Sequence, residues 1–144
     1  MLVEEVMTKG IRIAEADEKI AHAAKKMRTQ NIGALPVIDN HKLVGMLTDR
    51  DIAIRAVGAN KDLSETTVRD VMSEECFWCS ASEDLEDAVR IMEQNRVRRL
   101  PVMNKQQEII GMLSLEDVAL YAPASLTGEV LKAVANREYE IVAT

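Results

Sequence analysis

Gly45-Met-Leu-Thr-Asp-Arg-Asp51 returns downstream as Gly111-Met-Leu-Ser-Leu-Glu-Asp117, and that repetition decides the fold. The preceding landmarks recur in the same order: Val6-Met7-Thr8 matches Val71-Met72-Ser73, Met27 matches Met92, and Leu35-Pro36-Val37 matches Leu100-Pro101-Val102. The offset is 65 residues between Met7 and Met72 and 66 between Gly45 and Gly111, because one residue is inserted near Gln106-Gln107. Residues 1–60 and 61–121 are therefore read as two copies of one domain. Residues 122–144 have no counterpart in the first copy and read as a helical tail, in which Thr127 is placed to cap a helix carrying Val130, Leu131 and Val134.

Each copy has the same periodicity. Ile20, Ala23, Ala24 and Met27 form a helical stripe over 17–31 behind Asp17 as N-cap; Leu85, Ala88, Val89 and Met92 do so behind Ser82. Two short apolar runs follow, Ala34–Ile38 and Leu43–Leu47, around the turn residues Asp39-Asn40-His41, and in the second copy Arg99–Met103 and Ile109–Leu113. Pro36 points to an edge strand or an irregular start. Short helices are expected at 3–7 and 68–72, opening strands at Ile11–Ile13 and Cys76–Trp78, and closing helices at 49–57 and 115–121. The fold class is a mixed α/β (α+β) one, made of two β-α-β-β-α units.

A chain of 144 residues with 47% hydrophobic content can bury a core, although each half alone is near the lower limit of independent stability. The net charge of −6, without a basic run, disfavours nucleic acid or an anionic membrane as partner. The acidic MLVEEVMTKG start and the lack of a long apolar window predict a cytoplasmic protein without a membrane span.

In both copies a strand ends in Gly-Met-Leu, a hydroxyl residue follows, and an aspartate stands three residues on. Thr48 with Asp51 and Ser114 with Asp117 thus occupy a helix N-terminus, where free N–H groups receive anions and a carboxylate can hold a sugar diol. The same spacing is a capping box that needs no ligand, although such boxes prefer Glu or Gln where both copies keep Asp. Gly45 and Gly111 admit a close backbone approach or relax a crowded strand.

With these motifs, their order and their duplication, residues 1–121 resemble a tandem of cystathionine beta-synthase (CBS) domains, a Bateman module. The resemblance implies units packed about a pseudo-twofold axis, frequent dimers, and AMP, ADP, ATP or S-adenosylmethionine bound in clefts between the units. It assigns the ribose hydroxyls to Asp51 and Asp117, with Thr48 and Ser114 near ribose or phosphate. By the same resemblance Thr8, Ile11, Leu35 and Pro36 line one adenine pocket, and Ser73, Cys76, Leu100 and Pro101 the other.

The copies differ in charge. Arg98-Arg99 replaces Gly33-Ala34, and related nucleotide sensors use basic residues there to reach a phosphate held by the opposite repeat. Arg98 or Arg99 is accordingly expected to serve a nucleotide on Asp51, with Arg50 adding positive potential and Glu116 opposing phosphate at Asp117. The Asp51 site is the first choice for a nucleotide.

No catalytic constellation, P-loop or metal site emerges, and no cofactor is required. The expected protein is a sensor rather than an enzyme, a homodimer that signals to an effector protein. Two rivals are a ligand-free dimerisation scaffold, and a thiol redox sensor built on Cys76 and Cys79 of the Cys-Phe-Trp-Cys stretch. Trp78 is a candidate for stacking on a base.

Overall fold

A computed structural model describes residues 1–10 and 12–143, of which 137–143 are described by their backbone alone. In chain order the elements are α1 (Val3–Val6), β1 (Thr8–Lys9), β2 (Ala14–Glu15), α2 (Ile20–Gln30), β3 (Ala34–Asp39), β4 (Lys42–Thr48) and α3 (Asp49–Asp51). A π-helical stretch, Ile52–Val57, continues α3. The second copy supplies α4 (Val68–Val71), β5 (Cys79–Ser80), α5 (Leu85–Asn95), β6 (Arg99–Met103), β7 (Ile109–Ser114) and α6 (Leu115–Tyr121), and the tail forms α7 (Ala124–Ala143). This is a mixed α+β fold.

The compact units are not the sequence copies. One comprises Arg12–Cys76, here the first-copy unit; the other, the second-copy unit, joins Met1–Ile11 to Phe77–Thr144. The lead-in segment of each copy has changed places. In the first-copy unit the sheet order among described residues is β2-β3-β4, and in the second-copy unit β1-β7-β6-β5. Each core lies between the sheet and one long helix. Leu35, Val37 and Leu47 pack with Ile20, Ala23 and Met27, and with Val68 and Val71 from α4. Leu100, Val102 and Leu113 pack with Leu85, Val89 and Met92, and with Val3 and Val6 from α1.

The exchange corrects several local expectations. Neither Asp17 nor Ser82 caps its helix; the N-cap positions are Lys19 and Asp84, neither with a side-chain cap bond. The first helical N–H donates instead to a lead-in carbonyl: Ile20 to Thr66 at 3.0 Å and Leu85 to Met1 at 2.8 Å. Asp17 is taken by Arg69, whose guanidinium also reaches Asp39, at 3.2 and 2.8 Å.

The opening strands also fall elsewhere than expected. Cys76, Phe77 and Trp78 belong to no strand, and the parallel pairing with β6 begins at Cys79 opposite Val102. Ile11 lies outside the described residues, and Ile13 precedes β2. Pro36 stands in a central strand, not an edge, but β2 pairs with β3 only from Val37 onward, so no partner needs the missing proline N–H. Asn40 and His41, with φ of 51° and 67°, make the tight hairpin turn, whereas the inserted residue of the second copy puts Gln107 at φ 62°.

α7 starts at Ala124, before Thr127, whose hydroxyl donates to Pro123 O at 3.4 Å rather than capping. Val130 and Val134 are buried against the second-copy core, so the tail covers its own unit. Val89 is sealed there, whereas its first-copy counterpart Ala24 is partly exposed.

The paired glycines have a definite reason. A Cβ on Gly45 would stand 2.4 Å from Ser73 O, and one on Gly111 2.7 Å from Thr8 O. Neither has a positive φ; each gives room to the lead-in backbone. Gly45→Ala and Gly111→Ala are each expected to destabilise the fold by about 1–3 kcal/mol in urea unfolding, since packed backbone cannot yield as a flexible side chain does.

Glu18 ties β2 to α2. Its carboxylate accepts from Glu15 N–H at 2.6 Å and Lys26 Nζ at 2.7 Å, and lies 2.6 Å from His22 Nδ1. Burial opposes its ionisation, but the Lys26 hydrogen bond, helped by Glu15 N–H, the Lys26 charge and His22, outweighs this and holds the carboxyl below its ordinary range. A depressed folded value means stability present above the unfolded carboxyl range, about pH 4.3, and lost as pH falls through the folded value. The stability deficit of Glu18→Gln should therefore be full at neutral pH and shrink on acidification, as urea midpoints across pH would record.

Candidate functional site

The two hydroxyl–aspartate pairs form reciprocal helix caps. Thr48 N–H donates to Asp51 Oδ2 at 2.9 Å, and Asp51 N–H donates back to Thr48 Oγ1 at 3.1 Å. Ser114 and Asp117 repeat this at 3.0 and 3.1 Å. Thr67 N–H donates likewise to Asp70 Oδ2, without a preceding Gly-Met-Leu. The capping function is therefore met, and it uses one carboxylate oxygen of each aspartate.

The other oxygen points to different neighbours. Asp117 Oδ1 accepts from Thr8 Oγ1 at 3.5 Å, while Asp51 Oδ1 lies 3.9 Å from Arg55 Nε. Arg55 also donates to the carbonyls of Met72 and Val71, at 3.3 and 3.5 Å, so it joins the π-helical stretch to the end of α4. Arg55 was not singled out in the sequence; its place four residues after Asp51 was the available signal.

The N–H groups expected to be free are engaged throughout the Asp51 rim, and at Ser114, Leu115 and Asp117 of the other. Asp49 N–H donates to Gly33 O and Leu115 N–H to Arg98 O, both at 2.9 Å, while Asp51 and Asp117 N–H serve their caps. Arg50 N–H is taken by Asp49 Oδ1 at 2.8 Å. At the Asp51 rim an anion must be held mainly by side chains, because the first backbone donors there are already engaged.

Exchange of the lead-in segments also regroups the candidate residues. Thr8 pairs with Met112 in the second-copy unit and so joins Ser114, Asp117, Leu100 and Pro101. Ser73 bridges to Met46 and joins Thr48, Asp51, Leu35 and Pro36, with Cys76 in the same unit. Thr8, expected to accompany Leu35 and Pro36, thus lies in the sheet of Leu100 and Pro101, while Ile11 lies outside the described residues. Leu35 and Leu100 are wholly buried and face the helices, so their side chains are unavailable to a ligand. Pro36 and Pro101 occupy the opposite sheet face, in register with Met46 and Met112.

Arg99 pairs in register with Ser114, and Ala34 takes the equivalent place opposite Thr48. Arg50 is exposed, Arg98 partly so. Asp49, also not singled out in the sequence, fills the space beside Gly33, where a Cβ would stand 2.9 Å from its Oδ2.

The CBS domain family profile matches residues 3–58 and 68–123, the two copies with their lead-in segments. The chain belongs to the CBS domain family. It is 38% identical over 118 residues to the CBS domain-containing protein YhcV of Bacillus subtilis, an alignment covering 82% of this chain and 83% of that protein. Among solved structures it is similar to the CBS domain pair of protein MJ0100 in complex with 5′-methylthioadenosine and S-adenosyl-L-methionine, with a TM-score of 0.72 and 26% identity over 83% of this chain and 94% of that one. It is also similar to CBSX2 in complex with AMP, with a TM-score of 0.66 and 29% identity over 84% and 95% of the two chains. CBS pairs akin to this one thus bind adenosine ligands of both phosphorylated and unphosphorylated kinds.

Other features of this CBS pair carry less chemistry. A groove of about 650 Å³ in the second-copy unit is lined by Asp84, Glu86, Arg90, Tyr121, Leu126 and Glu129, away from Asp117. Among the described residues no group of His, Cys, Asp and Glu is placed to hold a metal ion, and no helix is long and apolar enough to cross a membrane. Trp78 is 45% exposed, while Phe77 packs on the second-copy core.

Burial pushes both thiols up, Cys76 partly and Cys79 to about 12, where Glu83 adds to the effect. A thiol sensor needs the opposite, a stabilised thiolate. A thiol reagent near neutral pH should label Cys76 slowly in the native protein and Cys79 only after denaturation. Rapid labelling of both, or a peroxide-induced disulfide, would favour the redox rival.

Proposed function

We propose that this CBS pair is a sensor of adenosine-containing metabolites, with Asp51 and Asp117 each accepting ribose hydroxyls. The observation that carries the reading is the division of labour in each carboxylate: Oδ2 holds the cap, leaving Oδ1 for other hydrogen-bond donors. At Asp117 the neighbour of Oδ1 is itself a hydroxyl, that of Thr8, which a ribose hydroxyl can replace. Hydrogen bonds to a charged carboxylate are worth about 1.5–3 kcal/mol each, enough to select a diol. The AMP, 5′-methylthioadenosine and S-adenosylmethionine complexes of similar CBS pairs support the ligand class.

The protein binds and signals rather than catalyses. A ligand that fits one arrangement of the chain better than another shifts the population toward it, by no more than its difference in affinity. The output passes to an effector protein, and a homodimer in the cytoplasm is the expected working form. Exposed apolar side chains on the closing helices, Ile54 and Val57 in one unit and Leu120 and Tyr121 in the other, are available to such contacts.

The deciding experiment is a thermal-shift and calorimetry panel of AMP, ADP, ATP and S-adenosylmethionine on the wild type, Asp51→Asn and Asp117→Asn. Asparagine keeps an oxygen for the cap while removing the charge. A ligand at 100 times its dissociation constant should add about 2.7 kcal/mol of stability, lost selectively in one variant. No shift with any ligand would instead support a dimerisation scaffold whose hydroxyl–aspartate pairs are caps alone.

A further inference from the structure

The groove of about 650 Å³ in the second-copy unit has no part in either rim. It lies between the first turns of α5, the end of α6 and the start of α7, with Asp84, Asp87 and Glu129 at its edges and Tyr121 and Leu126 in its wall. Glu86 is paired with Arg90 at 3.0 Å, but Asp84, Asp87 and Glu129 are exposed and enter no ion pair with a described residue.

The equivalent stretch of the first-copy unit has the opposite charge. Residues 84–95 carry four acids and one cation, whereas residues 19–30, at the 65-residue offset, carry four cations and no acid. Lys26 is taken by Glu18, and Lys19 lies near Asp62 and Asp70. Lys25 and Arg28 are exposed and enter no ion pair with a described residue. With Ala21 they stand at helical spacings of four and three, so the three residues share one face of α2. Ala24 beside them is partly exposed, where its counterpart Val89 lies sealed in the second-copy core.

We propose that the groove is filled by α2 of a second copy of this chain, the two chains pairing first-copy unit against second-copy unit about a twofold axis. A twofold contact is reciprocal, so each chain offers one α2 and receives another. Lys25 and Arg28 meet the acids of the groove, the small Ala21 and Ala24 permit close approach, and Tyr121 and Leu126 add apolar contact. Pairing like units instead would set cations against cations and acids against acids, and such juxtaposition costs affinity. The inference rests on the homodimer reading and adds to it an orientation and a contact face.

Sedimentation velocity on the full chain, at low and moderate salt, tests this together with carbodiimide cross-linking. The wild type should be a dimer that weakens as salt rises, because charges at this surface are screened. Reversing the helix charges in Lys25→Glu/Arg28→Glu, or the groove charges in Asp87→Lys/Glu129→Lys, should raise the dissociation constant at least about tenfold at low salt. An equimolar mixture of the two variants, complementary again, should recover the dimer, and unchanged melting temperatures exclude misfolding. In a mixture of wild-type chains with and without a heavy-isotope label, the cross-linker should join Lys25 of one chain to Asp87 or Glu129 of the other. That result does not depend on how the variants fold. Variants that dimerise as well as the wild type, or dimers without that cross-link, would overturn the orientation and leave the homodimer standing. A wild type that is monomeric at both salt concentrations would overturn the homodimer and the docking with it.

Discussion

Everything in this molecule depends on the backbone of each lead-in segment docking on the unit built from the other copy. The carbonyls of Met1 and Thr66 accept the first N–H of α5 and α2, the groups that a helix leaves unsatisfied. Beside them β1 pairs with β7, Ser73 bridges to Met46, and Gly111 and Gly45 give up their side chains to let these backbones close in. Val3 and Val6 complete one core and Val68 and Val71 the other, so neither sequence copy seals its own core.

The same docking composes the candidate site. It brings Thr8 to Asp117 and the end of α4 to Arg55 and Asp51, so each rim draws on both copies. Helix capping and ligand binding, which compete as explanations of the hydroxyl–aspartate spacing, are compatible because a carboxylate has two oxygens. One satisfies the helix end; the other remains for a partner. The third pair, Thr67 with Asp70, shows the spacing serving as a cap without the glycine-bearing strand before it.

After duplication the copies diverged where packing and charge allow. The first-copy unit clamps its lead-in segment with Arg69 between Asp17 and Asp39, positions that become Glu4, Ser82 and Asn104 in the second-copy unit. The second-copy unit gains α7, which covers Val89 and buries Val130 and Val134. The helix and strand positions facing each sheet stay apolar in both copies, whereas charges at the rims differ.

The sequence by itself determined the duplication, the long helices, the hairpin strands and the hydroxyl–aspartate pairs, since periodicity, turn residues and local spacing encode all of these within a few residues. Arg99–Met103 and Leu115–Tyr121 fall where the pattern places them. It misplaced the caps at Asp17 and Ser82 and the strand starts at Ile13 and Cys76, and it did not show that each lead-in segment joins the other copy's sheet. Only the tertiary structure decided those, because the carbonyl that caps α2 lies 46 residues away at Thr66 and the strand opposite Thr8 begins at Ile109. Backbone hydrogen bonds over such separations depend on how the cores close, and no local pattern of side chains records them.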